Sequence, residues 1–127
     1  MNEMIYVDHA ATTKVRPEAI EAMMPYLTDY YGNVSSMYSI SDITEQAIID
    51  ARRTIAECIG AKEREIFFTS CGSESNNMAL FGVLKKEKGH IITTNIEHHA
   101  ILHTVAALEK EGCTATYLEV NAEGLIT

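Results

Sequence analysis

The sequence predicts an α/β chain with a helical N-terminal segment. Apolar residues recur at helical spacing in the first half of the chain. In the second half, short runs of β-branched and aromatic residues alternate with longer amphipathic patterns. This alternation favours mostly parallel strands joined by right-handed crossovers. We therefore divide the 127 residues into a helical segment, about 1–60, and a βαβαβ segment, about 61–127.

The helical segment begins with a short strand-like run at residues 5–7, followed by a small, polar loop at 8–13. Pro17 suits the first turn of a helix, where its missing N–H costs nothing. That helix should end near Asp29, because a breaker cluster, Tyr-Tyr-Gly-Asn, follows it.

A second helix is predicted after an irregular loop at residues 32–41. Ser41 or Asp42 can cap its N-terminus, and Gly60 is a plausible C-terminal stop. Its apolar stripe consists of Ile43, Ala47, Ile48, Ala51, Ile55 and Ile59.

Strands are predicted at 65–69, 90–94 and 114–120, with helices at about 73–87 and 98–111 between them. The second of these helices has an apolar face made of Ile101, Val105 and Leu108. Three strands are few for a doubly wound sheet, so we expect the chain to be part of a longer protein. The alternative is a small free-standing α/β domain. In a partial sheet, an unpaired edge and an uncovered face favour self-association.

Composition excludes several classes of function. A net charge of -8 and a pI near 5.0 disfavour nucleic-acid binding, which needs clustered basic residues. We expect no membrane span and no secretory signal, since no long apolar run is present. The cysteines are odd in number and far apart, which favours a reducing, cytoplasmic location.

The turn at residues 69–74 is the strongest chemical feature. It connects a predicted strand to a helix, an arrangement that directs free N–H groups and the positive helix end at one point. Gly72 permits close approach of a ligand, and the hydroxyls of Ser70 and Ser73 are candidate phosphate donors. The alternative is an ordinary turn in which Ser73 caps its own helix. Cys71 is either a thiolate stabilised by the helix or, as we favour, a small packing residue.

A second polar turn, residues 94–99, follows the next predicted strand. Ligands of α/β sheets bind at the carboxyl ends of strands, so His98 should lie near the Gly72–Ser73 turn. An imidazole there can stack on a flat ring or transfer a proton. The alternative is a partly exposed histidine at a helix start. His99 and His103 share a helical face, but the HExxH pattern is absent and we expect no metal site.

Four short blocks, at residues 6–13, 32–36, 68–77 and 96–102, together resemble the cysteine desulfurase family of class V aminotransferases. Residues 6–13 are similar to its Y-[LF]-D-x-A-A-T-T opening, and residues 32–36 to its GNPSS. Residues 68–77 resemble its FTSGGTEANN, and residues 96–102 its xEHxAIL. The blocks occur in the family's order and extend over nearly the whole chain.

The resemblance implies a partial three-layer α/β large domain of a fold-type-I pyridoxal 5'-phosphate (PLP) transferase. It also implies a homodimer that takes sulfur from L-cysteine, leaves L-alanine, and passes the sulfur as a persulfide to an acceptor protein. Gly72 and Ser73 would bind the PLP phosphate. His98 would stack on the pyridine ring and serve as an acid–base group. On the substrate side the resemblance places Ala10, Ala11 and Asn33.

The chain departs from the family pattern in two ways. Cys71 replaces a glycine, Ser73 a threonine, Val34 the proline of GNPSS, and Tyr38 a frequent histidine. The family's Schiff-base lysine, its pyridine-nitrogen aspartate and its sulfur-accepting cysteine belong beyond residue 127. We therefore expect this chain alone to be inactive. Alternatives are a selenocysteine lyase, a small-molecule aminotransferase, or a non-catalytic fragment that pairs with another chain.

Overall fold

The computed structural model describes residues 5–127. The chain divides into two compact units, bounded as Met1–Phe67 and Phe68–Thr127. The first unit contains helices α1, Pro17–Thr28, and α2, Ser39–Ile59, and a 3-10 turn, Glu63–Glu65. The second contains α3, Gly72–Glu87, β1, His90–Thr94, α4, His99–Lys110, and β2, Thr114–Leu118. None of the helices in residues 5–127 is long and apolar enough to cross a membrane.

Helix α1 begins at Pro17, as predicted, and Asp29 forms its C-cap. The prediction of a strand-like start at residues 5–7 is wrong, because these residues form no strand in the described part of the chain. The loop that follows is closed instead by a side chain. The Tyr6 hydroxyl lies 2.8 Å from the carbonyl oxygen of Asp8 and 2.9 Å from that of Thr12.

Helix α2 starts earlier than predicted, at Ser39, and neither Ser41 nor Asp42 is its cap. Ser41 is 1% exposed, and its Oγ lies 2.5 Å from Oγ of Ser36. The Thr44 hydroxyl donates to the carbonyl oxygen of Gly32 at 2.8 Å. These polar residues therefore anchor the preceding loop to the helix instead of capping it.

The end of α2 agrees with the sequence, but its predicted apolar stripe does not. Gly60 adopts a left-handed conformation, with φ of 68°, and ends the helix. The stripe is not buried: Ile43, Ile55 and Ile59 are 44%, 40% and 68% exposed. The spacing is helical, as expected, but no described element of this unit covers that face.

The predicted strand at 65–69 is wrong. Its first residue belongs to the 3-10 turn, and residues 66–69 have no regular structure. The carbonyl oxygen of Ile66 accepts a hydrogen bond from Arg52 Nε at 3.1 Å. A strand needs a paired neighbour, and the sheet within residues 5–127 has only two strands. The predicted βαβαβ order is therefore αβαβ in the second unit.

The remaining elements confirm the alternating pattern. Strand β1 has the predicted bounds, and α4 lies within the predicted helix. Strand β2 ends two residues early, and Val120 instead forms an isolated antiparallel bridge with Ile126. The strands β1 and β2 pair in parallel, with His90 opposite Thr114 and Thr94 opposite Leu118. Helix α4 is the crossover between them.

The core of the second unit lies between α4 and the sheet. Its buried cluster consists of Ile91, Val105, Leu108 and Cys113. Val105 and Leu108, on the predicted apolar face of α4, are both fully buried. Partly buried residues of α3, including Phe81 and Leu84, pack against this cluster. The core therefore fixes both helices whose N-termini carry the candidate site.

Candidate functional site

An open cleft of about 480 Å³ lies along α3 and α4. Its lining includes Ser73, Asn77, His98, His103 and Thr104. Ligand pockets in proteins typically span roughly 300–1,000 Å³. Ser73 and His98 therefore meet at one ligand-sized cleft, although the strand expected before Ser73 does not form. Packing of α3 against α4 brings them together.

The N-terminus of α3 is open around Gly72 and Ser73. A Cβ atom added to Gly72 would meet no atom within 4 Å. The internal packing therefore does not require a glycine, and the space beside it is free for a ligand. The N-cap is Cys71, so the alternative in which Ser73 caps its own helix is wrong. Ser73 is exposed on the first turn of a 16-residue helix, where the helix dipole favours an anion.

Ser70 does not offer its hydroxyl to a ligand, contrary to the sequence prediction. Its backbone N–H and its hydroxyl both donate to Oε2 of Glu74, at 2.6 and 2.7 Å. These two hydrogen bonds, the N–H first, lower the pKa of the Glu74 carboxyl below its ordinary value. The carboxylate thus fixes the turn that leads into α3.

Cys71 is exposed, so the packing interpretation is wrong; Cys113 is the buried cysteine. The backbone N–H of Glu74, the hydroxyl of Ser70 and the N–H of Ser73 lower the pKa of the Cys71 thiol, in that order of importance. The helix N-terminus therefore favours a thiolate at Cys71. An anion bound at Ser73 would share these N–H groups with the thiolate.

His98 is exposed and caps α4. Its Nδ1 accepts a hydrogen bond from the backbone N–H of Ala100 at 3.0 Å. Because a backbone N–H can only donate, Nδ1 carries no proton in this contact, and the neutral ring holds its proton on Nε2. His98 is therefore both an exposed histidine at a helix start and a residue that lines the cleft. The two interpretations offered by the sequence do not exclude each other.

Asn77 and Thr104 line the same cleft and were missed from the sequence. Asn77 lies four residues after Ser73, so helical spacing puts the two on the same face of the predicted helix. That spacing was the signal that could have identified Asn77. Thr104 is a polar residue on the buried side of α4, with 4% exposure. A buried hydroxyl implies a hydrogen-bond partner, which was the available signal.

His99 and His103 stack on each other with ring centroids 5.1 Å apart. Within residues 5–127, no three potential metal-binding side chains come together. The two histidines therefore form an exposed ring pair that lines the cleft together with His98.

The residues assigned to the substrate side by resemblance lie in the first unit. Ala10 and Ala11 belong to a turn in which the Ala11 N–H donates to the Asp8 carbonyl at 3.2 Å. Asn33 opens the loop before α2, and its Oδ1 accepts the N–H of Ser35 at 3.0 Å. Both segments have defined local geometry.

Comparison with known proteins decides the family. The profile of "Aminotransferase class-V" matches residues 5–127. The chain belongs to the class-V aminotransferase family. This class-V chain is 51% identical over 130 residues to "Cysteine desulfurase IscS" of Clostridium botulinum (strain Kyoto / Type A2), covering 100% of the chain and 33% of that protein. It is 49% identical to the IscS of Methanosarcina thermophila, covering 99% of the chain and 32% of that protein.

Solved structures agree with this assignment. "SspA in complex with cysteine" has a TM-score of 0.87 and 42% identity, over 96% of this chain and 36% of that one. The apo cysteine desulfurase from Thermococcus onnurineus NA1 has a TM-score of 0.83 and 32% identity, over 98% and 32% of the two chains. The fold is therefore that of the matching third of these structures. The class-V chain spans about a third of the length of the curated relatives it matches.

The lysines of this class-V aminotransferase chain are all exposed: Lys14, Lys62, Lys85, Lys86, Lys88 and Lys110. None of the four in the second unit, Lys85, Lys86, Lys88 and Lys110, lines the cleft. Within the second unit, the cleft therefore combines the N-terminus of α3 with histidine side chains and has no lysine in its lining.

Proposed function

We propose that the chain is the N-terminal part of a PLP-dependent cysteine desulfurase, which converts L-cysteine to L-alanine and passes the sulfur to an acceptor protein. Relatives about 50% identical are named cysteine desulfurases. The SspA structure, similar over 96% of this chain, is a complex with cysteine. The sequence blocks around Gly72 and His98 point to the same activity.

The juxtaposition of Ser73 and His98 at one cleft carries the proposal. The free space at Gly72, the exposed Ser73 hydroxyl and the N-terminus of α3 suit a phosphate dianion. His98 supplies a flat ring on the other side of the cleft. The residues present therefore fit PLP, with Gly72 and Ser73 at its phosphate and His98 against its ring. When bound, PLP supplies an electron sink for cleavage of bonds in the amino acid.

His98 has a second task in the proposal. With Nδ1 occupied by the Ala100 N–H, the neutral ring can donate a hydrogen bond only from Nε2. To act as an acid–base group, the ring would first release the Ala100 N–H and take up a proton at Nδ1, after which Nε2 could deliver its proton beside the bound amino acid. The contact to Ala100 also limits rotation of the ring.

The proposal extends to the rest of the enzyme. Ala10, Ala11 and Asn33 would contact the amino-acid substrate, and the complete enzyme would be a cytoplasmic homodimer. The chain alone would be inactive, because no lysine of the second unit lines its cleft. Incubation of the chain with PLP and L-cysteine should therefore yield no sustained alanine or sulfide. Continued production of either would contradict this part of the proposal.

The phosphate site is tested by Gly72→Ala. The added methyl meets no protein atom within 4 Å and removes a helical glycine, so unfolding stability should stay equal or rise by up to about 1 kcal/mol. The same methyl would enter the space assigned to phosphate. Affinity for pyridoxamine 5'-phosphate, which lacks the aldehyde that reacts with surface lysines, should fall at least about tenfold, or by roughly 1.4 kcal/mol.

Gly82→Ala is the matched control. Gly82 lies in the same helix, and a Cβ there also meets nothing within 4 Å. This variant should gain similar stability and keep the wild-type affinity, measured by isothermal titration calorimetry. Equal affinities for both variants would remove Gly72 from the cofactor site.

A further inference from the structure

We propose that Asn77 and Thr104 are positioning residues that set the separation between Ser73 and His98. This inference rests on the proposed cofactor site and deepens it. A continuous series of hydrogen bonds runs from the first turn of α3 to the cap of α4. Its members, in order, are Ser73, Asn77, Thr104, Ala100 and His98.

Asn77 forms the α3 end of this series. Its Nδ2 donates to the carbonyl oxygen of Ser73 at 2.8 Å. A carbonyl oxygen can only accept, so this contact fixes the orientation of the amide and turns Oδ1 toward α4. Oδ1 then lies 2.9 Å from Oγ1 of Thr104. The two ends of one side chain therefore join the phosphate turn to the neighbouring helix.

Thr104 continues the series to His98. Its hydroxyl lies 2.8 Å from the carbonyl oxygen of Ala100, and the N–H of Ala100 donates to Nδ1 of His98. The single hydroxyl proton of Thr104 is thus within reach of both Asn77 and Ala100. A shift of α3 along α4 would break the link between Asn77 and Thr104 before any other bond in the series.

Burial gives this link its effect. Thr104 is 4% exposed and Asn77 is half-buried, so water cannot readily replace Asn77 as the partner of the Thr104 hydroxyl. Every other contact in the series lies within one helix or its cap. The bond between Asn77 and Thr104 is therefore its one tertiary step. It should determine whether a ligand can touch Ser73 and His98 simultaneously.

A pair of ligands separates positioning from simple binding. Inorganic phosphate needs only the N-terminus of α3, whereas pyridoxamine 5'-phosphate must contact both Ser73 and His98. In Thr104→Val, which removes the hydroxyl at nearly constant shape, phosphate affinity should change less than about twofold. Pyridoxamine 5'-phosphate should bind about fivefold more weakly, the factor expected for one hydrogen bond. Both affinities are measured by calorimetry on the full 127-residue chain.

Two further variants complete the test. Thr104→Ser keeps the hydroxyl and should restore pyridoxamine 5'-phosphate affinity to within about twofold of wild type. Asn77→Ala should reproduce the loss seen in Thr104→Val, whereas Asn76→Ala, one residue earlier in α3, should not. The side chain of Asn76 forms no hydrogen bond within the described part of the chain. The double variant Asn77→Ala/Thr104→Val should be no weaker than either single variant, because both remove the same link.

The outcomes distinguish this inference from the proposed function. If the wild-type chain binds neither ligand, the cofactor site itself is wrong. If it binds both and Thr104→Val binds both equally well, only the positioning role is overturned. A parallel loss of both affinities in Thr104→Val would also overturn it, since that result indicates general damage to the fold.

Discussion

Leu108 is the residue whose truncation should most damage the support of the site. It is fully buried on α4 and belongs to the cluster with Ile91, Val105 and Cys113. Leu108→Ala removes three carbons from this cluster and leaves a cavity. The expected loss is about 3–5 kcal/mol, from lost transfer free energy and the cavity together.

The unit that contains Leu108 is small, which makes this loss severe. It runs from Phe68 to Thr127, and domains of this size have stabilities of about 3–9 kcal/mol. With a urea m-value of about 1 kcal/mol/M, the midpoint should fall by about 3–5 M, or the unit should be unfolded without denaturant. Far-UV circular dichroism during a urea titration measures the change.

Leu125→Ala is the matched control, because Leu125 is 64% exposed in the same unit. Its truncation should cost less than about 0.5 kcal/mol. Similar midpoints for the two variants would refute the packing of α4 against the sheet as the source of stability in this unit.

Two further predictions concern the turn before α3. Cys71 should react with iodoacetamide faster than Cys58 at neutral pH and stay reactive to lower pH, because its lowered pKa leaves more thiolate. Both cysteines are exposed, so access does not separate them. Mass spectrometry of each peptide measures the two rates. Equal rates would contradict stabilisation of a Cys71 thiolate by the helix. Glu74→Gln should speed amide exchange at Ser70 near neutral pH. Because the pKa of Glu74 is lowered in the fold, the stabilisation that its carboxylate contributes is present above the ordinary glutamate range and is lost as pH falls through the folded pKa. The exchange rates of the Ser70 amide in the two proteins should therefore converge in acid. A difference that persists at low pH would refute the role of the carboxylate charge.

The sequence predicted β1 and α4 well because their signals are local. Residues 91–94 form a β-branched run shortly after Gly89, and α4 has a clear apolar face. The segment 65–69 has a similar composition but no partner in the described sheet. Strand formation depends on a distant neighbour, which a local pattern does not contain. The same reason explains why the stripe on α2 is helical yet exposed.

The site shows a similar limit. The turn before α3 and the position of His98 followed from short motifs and element order. The hydrogen-bond partners of individual polar groups could not be predicted in this way. Ser70 donates to Glu74, four residues later, although both side chains could have faced a ligand. Asn77 could have been found from its spacing to Ser73. Its contact with Thr104 joins two helices and depends on their packing.

The polar anchors of the first unit have a thermodynamic consequence. Ser41 and Thr44 are buried there, whereas Ala56 is its one buried hydrophobic residue within the described range. Heat capacity increases on unfolding mainly through newly exposed apolar surface. Melting of this unit should therefore have a small heat-capacity change and a broad transition. The unit with the Leu108 cluster should have the larger heat-capacity change and the sharper transition, so calorimetry would show two unequal steps.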